Sequence, residues 1–295
     1  MTGHVVVGYT ATKTGRDAVA FASRLAGATG AVLDLVVVLP AVGRSVITPP
    51  DASYDRYLRE QAQQWMAAAI DRVPAEVVAH AHVRWAESFA EGLIAIADQL
   101  GASCIVVGAA DGGLRGRHRL GSTTTELLHS SDVPVALVPR GARKIAPGTG
   151  ITRLTVAVGT RPGADVLLDE AASLAQAAGV SVRLLSLLTV DLPPTADTGV
   201  IRLSASTEVD DVLAAAKADL PDSIDADVVV AEGESIEDAV AHLDWQPGEV
   251  LMAGSSRLAQ PRRLFLGSTA AKMLHEVPVP VIVVPRTRHK EEVAS

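Results

Sequence analysis

Residues 121–140 read GSTTTELLHSSDVPVALVPR, and residues 267–286 read GSTAAKMLHEVPVPVIVVPR. The offset is 146 throughout, and 11 of the 20 positions are identical. Gly-Ser-Thr opens both stretches, a Leu-His pair follows (Leu128-His129 and Leu274-His275), and both close on Val-Pro-Val…Val-Pro-Arg. Solenoid repeats run about 20–50 residues, so this period is a duplicated domain instead. Inside each stretch a helical pattern passes into a short aliphatic run: Thr123–His129 into Val133–Val138, and Thr269–His275 into Val279–Val284. Strands apolar on both faces, alternating with helices, belong to parallel sheets covered on both sides.

The same alternation extends outward. The first half reads as strands at His4–Val7, Ala31–Leu39, Glu76–Trp85 and Ser103–Val107, with helices at Arg16–Ala28, Tyr54–Arg72 and Ser88–Leu100 between them. The second half reads as Leu154–Val158, Leu167–Ala178, Ser181–Thr189, Val209–Leu220, Asp227–Val230, Ile236–Leu243 and Glu249–Ala253, in the same order of types. Two tandem α/β domains are expected, at residues 1–143 and 150–288, joined by a Gly- and Pro-rich linker, GARKIAPGTGIT, at 141–152. The length of 295 residues suits two domains that each bury a core.

Composition excludes several classes. With 48% hydrophobic and 20% charged residues the chain is too apolar for disorder. No run approaches the roughly 18–20 uncharged apolar residues of a membrane span, so no membrane partner is expected. The start, MTGHVVVGYT, lacks a basic segment followed by an apolar core, and a cytoplasmic location is expected. The single cysteine, Cys104, allows no internal disulfide and reads as a buried thiol. The net charge of −8 argues against nucleic acid as a partner. That charge is uneven. Residues 1–147 hold 14 Lys+Arg against 13 Asp+Glu, and residues 148–295 hold 12 against 21.

Open α/β sheets bind ligands beyond the carboxyl ends of their strands, where strand order reverses. The loop after the fourth strand runs from Gly108 to Gly121-Ser122, with Gly112, Gly113 and Gly116 between and Arg115, Arg117, His118 and Arg119 adding positive charge. Glycines let backbone N–H groups approach a phosphate, and a helix opening at Ser122-Thr123 adds its own free N–H groups and dipole. A flexible loop before an ordinary capped helix is the competing reading. No Gly-Lys-Ser/Thr occurs, so this is not a P-loop.

Gly-x-x-Gly, nine residues, then Gly-Ser/Thr at the end of strand four is the ATP-binding motif of universal stress proteins. Over nearly its whole length the chain resembles a tandem member of that family. Gly108…Gly121-Ser122 and Gly254…Gly267-Ser268 keep the spacing, and VPVALVP and VPVIVVP are similar to the family's fifth strand. The resemblance implies two flavodoxin-like (adenine nucleotide alpha hydrolase-like) domains, each a five-stranded parallel sheet between helices. It implies ATP, with Mg²⁺ as its counter-ion, as ligand, and a stress-response regulator or sensor as function. It also implies that the two fifth strands pair within the chain as a pseudo-dimer, with a homodimer as a further step.

The departures from the motif matter. Its second glycine falls on Asp111 in the first half and on Arg257 in the second. Asp111 either repels the γ-phosphate or recruits Mg²⁺ to it, while Gly112 lies next to it. The second loop, SSRLAQPRRLFL, holds no glycine between Gly254 and Gly267. After strand one, nucleotide-binding members read Val-Gly-x-Asp. This chain reads Val7-Gly8-Tyr9-Thr10 and then Val158-Gly159-Thr160-Arg161. Thr10 still offers a hydrogen bond, and Val38 at the end of strand two is placed by the resemblance against the base. ATP is therefore expected in the first half, with the second a degenerate copy. The alternatives are a scaffold that works through protein partners, or a sensor of another adenine nucleotide such as a cyclic one.

Other candidates read as structural. His80 and His82 alternate on strand three and face one side; a polar strand face is preferred over a metal site. His129 and His275 suit helix C-termini. Arg44–Arg59, with Pro49-Pro50, reads either as an excursion over the ligand site or as an ordinary surface loop. No nucleophile–base–acid set and no spaced carboxylate pair is present, so no catalytic residue is assigned and weak ATP hydrolysis is the most that is expected.

Overall fold

A computed structural model describes residues 3–41, 52–110, 120–146, 148–159, 164–189, 209–255 and 268–285. The first half runs β1 (His4–Gly8), α1 (Lys13–Thr29), β2 (Val32–Pro40), α2 (Ala52–Ile70), β3 (Ala79–Ala86), α3 (Phe89–Leu100), β4 (Ala102–Gly108), α4 (Ser122–Ser130) and β5 (Val135–Val138). The second runs β6 (Arg153–Ala157), α5 (Ala164–Ala178), β7 (Ser181–Thr189), a helix with described residues 209–218 (α6), β8 (Ala226–Gly233), α7 (Ile236–Ala241), β9 (Val250–Gly254), α8 (Ser268–Glu276) and β10 (Val281–Val284).

All ten strands form one sheet in the order β3-β2-β1-β4-β5-β10-β9-β6-β7-β8. Within each half every pairing is parallel. At the centre β5 and β10 pair antiparallel, Val281 opposite Leu137, Ile282 opposite Ala136 and Val283 opposite Val135. The Val-Pro-Val repeats thus end in strands that close each other's edge, which removes two exposed apolar edges at once. One core layer lies under α1, α2, α5 and α6, the other under α3, α4, α7 and α8. Hence the strands are aliphatic on both faces.

Local signals explain the helix ends. Thr12 caps α1, its hydroxyl accepting from the Gly15 N–H, and Gly30 ends it in the left-handed region at φ 67°. Ser88 caps α3 and Ser235 caps α7, each accepting from the N–H three residues on. The acids there reach back: Glu91 accepts from the Glu87 N–H, and Asp238 from the Glu234 N–H. The linker is fixed to α1. Buried Asp17 accepts from the Gly141 and Arg143 N–H groups, at 3.0 and 2.9 Å, and pairs with the Arg143 guanidinium at 2.8 Å. Of the stretch Arg44–Arg59, residues 52–59 form the first turns of α2 and not a loop; residues 44–51 lie outside the described residues.

Candidate functional site

In the first half the chain steps from β1 to β2 to β3 on one side, then returns with β4 on the other side of β1. The crevice at that reversal opens beyond Gly8 and Gly108. Its floor is unusually tight. A Cβ on Gly108 would lie 2.4 Å from the Thr14 carbonyl oxygen, and one on Gly15 only 2.0 Å from the Thr10 carbonyl oxygen. A Cβ on Gly8 would meet Leu93 and Phe89 of α3 at 2.8 and 2.9 Å. The backbone after β1 therefore winds directly over the end of β4. Only glycine permits that approach.

This winding brings hydroxyls together. Thr10 Oγ1 lies 3.0 Å from Thr12 Oγ1, which lies 3.0 Å from Thr14 Oγ1. Thr10 is exposed at the rim. Across the crevice Gly121 is the N-cap of α4, with φ −97° and ψ 174° and no side chain to receive the first-turn N–H groups. A Cβ there would stand 3.2 Å from that of Ala110. Thus Thr10, Gly108, Gly121, Ser122 and Thr123 share one continuous rim, through Thr12, Thr14 and Ala110. Val38 lies two residues past the pairing of Val36 with Gly8, half-buried on the α3 side, where its methyls press on Gly92. Asp111 and Gly112 lie outside the described residues, as do Arg115, Arg117, His118 and Arg119. Sequence reasoning passed over Thr12, Thr14 and Gly15. Their signal was a Thr N-cap three residues before Gly15, hidden because the apolar pattern of α1 starts only at Ala18.

The second crevice is lined by fewer described residues. Among them, the nearest to a Cβ on Gly254 would be Leu167, at 3.9 Å, and none lies within 4 Å of one on Gly159; residues 160–163 and 256–267 lie outside the described residues. Ser268 begins α8, while Gly267, Arg257, Arg262 and Arg263 lie outside the described residues. Register also corrects the loop alignment. Gly8 pairs with Val36 and Ala157 with Leu185; the next N–H groups, of Tyr9 and Val158, bond the Val36 and Leu185 carbonyls. Ala157 therefore holds the place of Gly8, and Gly159 that of Thr10. The offset here is 149, because insertions between the strands shift the 146 seen further on.

At the amino ends of the strands the two halves carry opposite buried charges in one register. Asp34 on β2 is fully buried and lies 2.7 Å from His4 Nδ1 and 2.7 Å from His82 Nε2, with His80 Nδ1 at 3.7 Å. The polar strand face expected of His80 and His82 is thus built on a carboxylate from the neighbouring strand. Among the described residues no group of His, Cys, Asp and Glu has the geometry of a metal site. The position of Asp34 in the second half is Arg183. It donates to Thr155 and Glu249 and stacks on Trp245, 5.0 Å from the ring centre. Arg153 also pairs with Glu249, at 2.8 Å. Burial lowers the Arg183 pKa and the Glu249 charge opposes that shift. Cys104, in the first core layer, has its thiol pushed up to about 12, chiefly by burial.

The sequence profile of the universal stress protein family matches residues 1–139 and 150–285. The chain belongs to the universal stress protein family. A curated universal stress protein of Mycobacterium tuberculosis is 30% identical over 303 residues, covering 95% of this chain and 99% of the relative. The crystal structure of a universal stress protein from Archaeoglobus fulgidus superposes with a TM-score of 0.68 at 17% identity, covering 96% of this chain and 98% of that one. A universal stress protein solved in complex with cAMP is similar over 36% of this chain and 75% of its own, at 18% identity and a TM-score of 0.27. The chain is a tandem universal stress protein with a stress-response role. Among its described residues no helix is long and apolar enough to cross a membrane.

Proposed function

We propose that this universal stress protein binds ATP, as the Mg²⁺ complex, in the crevice of its first half, and acts there as a cytoplasmic stress-response regulator or sensor. The observation that carries the reading is the crevice itself: Gly108 is pressed onto the Thr14 carbonyl and faces an α4 whose first turn is uncapped at Gly121. Free N–H groups and the positive helix end suit a polyphosphate. The hydroxyls of Thr10, Ser122 and Thr123 add donors at the rim. The second loop holds no glycine between Gly254 and Gly267, which supports the second half as structural partner to the first.

The test uses the whole chain, stripped of nucleotide. At 100 times Kd, Mg-ATP should stabilise the protein by about 2.7 kcal/mol and raise its melting temperature by several degrees. cAMP should give a smaller shift, since one phosphate engages fewer of those N–H groups. Gly121→Glu sets a carboxylate at the α4 N-terminus and should abolish the shift, while Gly267→Glu should leave it. No shift in the parent chain, or a shift retained in Gly121→Glu, sinks the proposal.

A further inference from the structure

The outer flank of the first half holds a feature the nucleotide reading does not use. A cleft of about 520 Å³ runs between α2 and β3, at the free edge of the sheet. Its walls are Met66 and Ile70 from α2, with Val83 and Trp85 from β3; Arg59 and Gln63 add its polar groups. Two strands, β2 and β1, separate it from the crevice beside β4.

We infer that this cleft is a second ligand site, for a small apolar molecule bearing one carboxylate. The volume falls in the range of small-molecule sites, which are mostly apolar with a few polar groups to fix orientation. Among the described residues Arg59 is the only charged group in the lining, and it makes no hydrogen bond or ion pair with any of them. A guanidinium without a partner binds a carboxylate through two parallel N–H donors, and the Gln63 amide can add a third. Trp85 supplies a broad apolar face for the body of the molecule.

The second half shows what the site needs. Trp85 pairs with Leu39 on β2, and the matching position beside Leu188 on β7 is Glu232. There the indole is replaced by an exposed carboxylate, which repels an acid and offers no apolar wall. Val83 is matched by Val230, so of these two strand positions only that of Trp85 loses its apolar wall. The site is thus argued for the first copy, and its charge preference follows from Arg59.

The full chain carrying Trp65→Phe and Trp245→Phe keeps Trp85 as its only tryptophan. Titration with 4-phenylbutyrate should give a saturable blue shift of its emission. Replacing the acid by 4-phenylbutanol should weaken binding about tenfold, and Arg59→Ala should do the same for the acid, as expected for a charge-assisted contact. Ala67→Leu, which narrows the cleft without adding a second fluorophore, should abolish the shift. Arg59 is exposed, so Arg59→Ala leaves the fold intact; the Mg-ATP response of that variant should equal the parent's. The inference fails if no saturable change occurs below about 10 mM, a concentration above which affinity is negligible. It fails equally if Arg59→Ala binds the acid as tightly as the parent.

Discussion

Set side by side, the two crevices differ in their loops. In the first, backbone rests on backbone, Gly108 under the Thr14 carbonyl and Gly15 against that of Thr10, and Gly112, Gly113 and Gly116 follow in the sequence. In the second, no glycine lies between Gly254 and Gly267, and among the described residues none comes closer to a Cβ on Gly254 than Leu167, at 3.9 Å. The glycine that ends the fourth strand survives in both copies, but the loop that follows it does not. An identical residue in an identical register is therefore no measure of an identical site. The buried charges teach the same lesson at the opposite end of the strands, where Asp34 with its imidazoles and Arg183 with Glu249 fill one position with opposite signs.

Four measurements would break or sharpen this comparison. The largest effect is expected at the buried charges. Glu249→Ala strands Arg183, which cannot shed its proton, and should cost about 3–5 kcal/mol in urea unfolding. Asp34→Ala should cost about 1–3 kcal/mol, because His4 and His82 are partly exposed and can hydrogen-bond water instead. Equal losses would mean the two clusters are equivalent after all. Next, Gly108→Ala forces a methyl into the Thr14 carbonyl and should cost about 1–3 kcal/mol. Gly254→Ala, whose nearest described neighbour would be Leu167 at 3.9 Å, should stay within about 0.5 kcal/mol. If Gly254→Ala hurts as much, the second crevice is as tight as the first.

The third concerns Cys104, whose place in the second half is held by Val250. The folded thiol, at about 12, keeps its proton above the ordinary value of 9.0. Below pH 9 both states are protonated and the thiol adds no pH dependence. Between pH 9 and 12 the unfolded thiol ionises first, so stability should fall by about 1.4 kcal/mol per pH unit from this group. Cys104→Val should remove that component from an alkaline unfolding series; an unchanged slope would place the thiol in contact with water. The smallest effect is at Thr12. Thr12→Ala removes the α1 cap and one link of the hydroxyl chain and should cost about 1 kcal/mol, seen as faster amide exchange in the first turn of α1.

Much of the fold was legible because its signals are local. Aliphatic runs such as Val133–Val138 and Val279–Val284 have one use in a parallel sheet, and the repeat supplied each reading twice. The pairing of β5 with β10 followed from the family resemblance, since sequence alone does not say which edge meets which. What stayed hidden was set by contacts across the chain. Asp34 sits inside an aliphatic run, and its partners are 30 and 48 positions away. The start of α1 at Lys13 was missed because Thr12-Lys13-Thr14-Gly15 has no apolar period to read. Matching Val7-Gly8 to Val158-Gly159 set Arg161 against Thr10, whereas the strand register puts Gly159 there. The crevice could be located by spacing, but its tightness is a property of backbone meeting backbone.

The antiparallel seam also bears on how the chain is made. The partner of β5 lies about 146 residues downstream, and ribosomes add roughly 5–20 residues per second. The first half must then wait on the order of 7–30 s with β5 bare before β10 exists to cover it. During that wait the most available strand on a crowded polysome is the β5 of a neighbouring nascent chain. At four residues, Val135–Val138, the edge is short, which limits how firmly such a mistaken pair can hold.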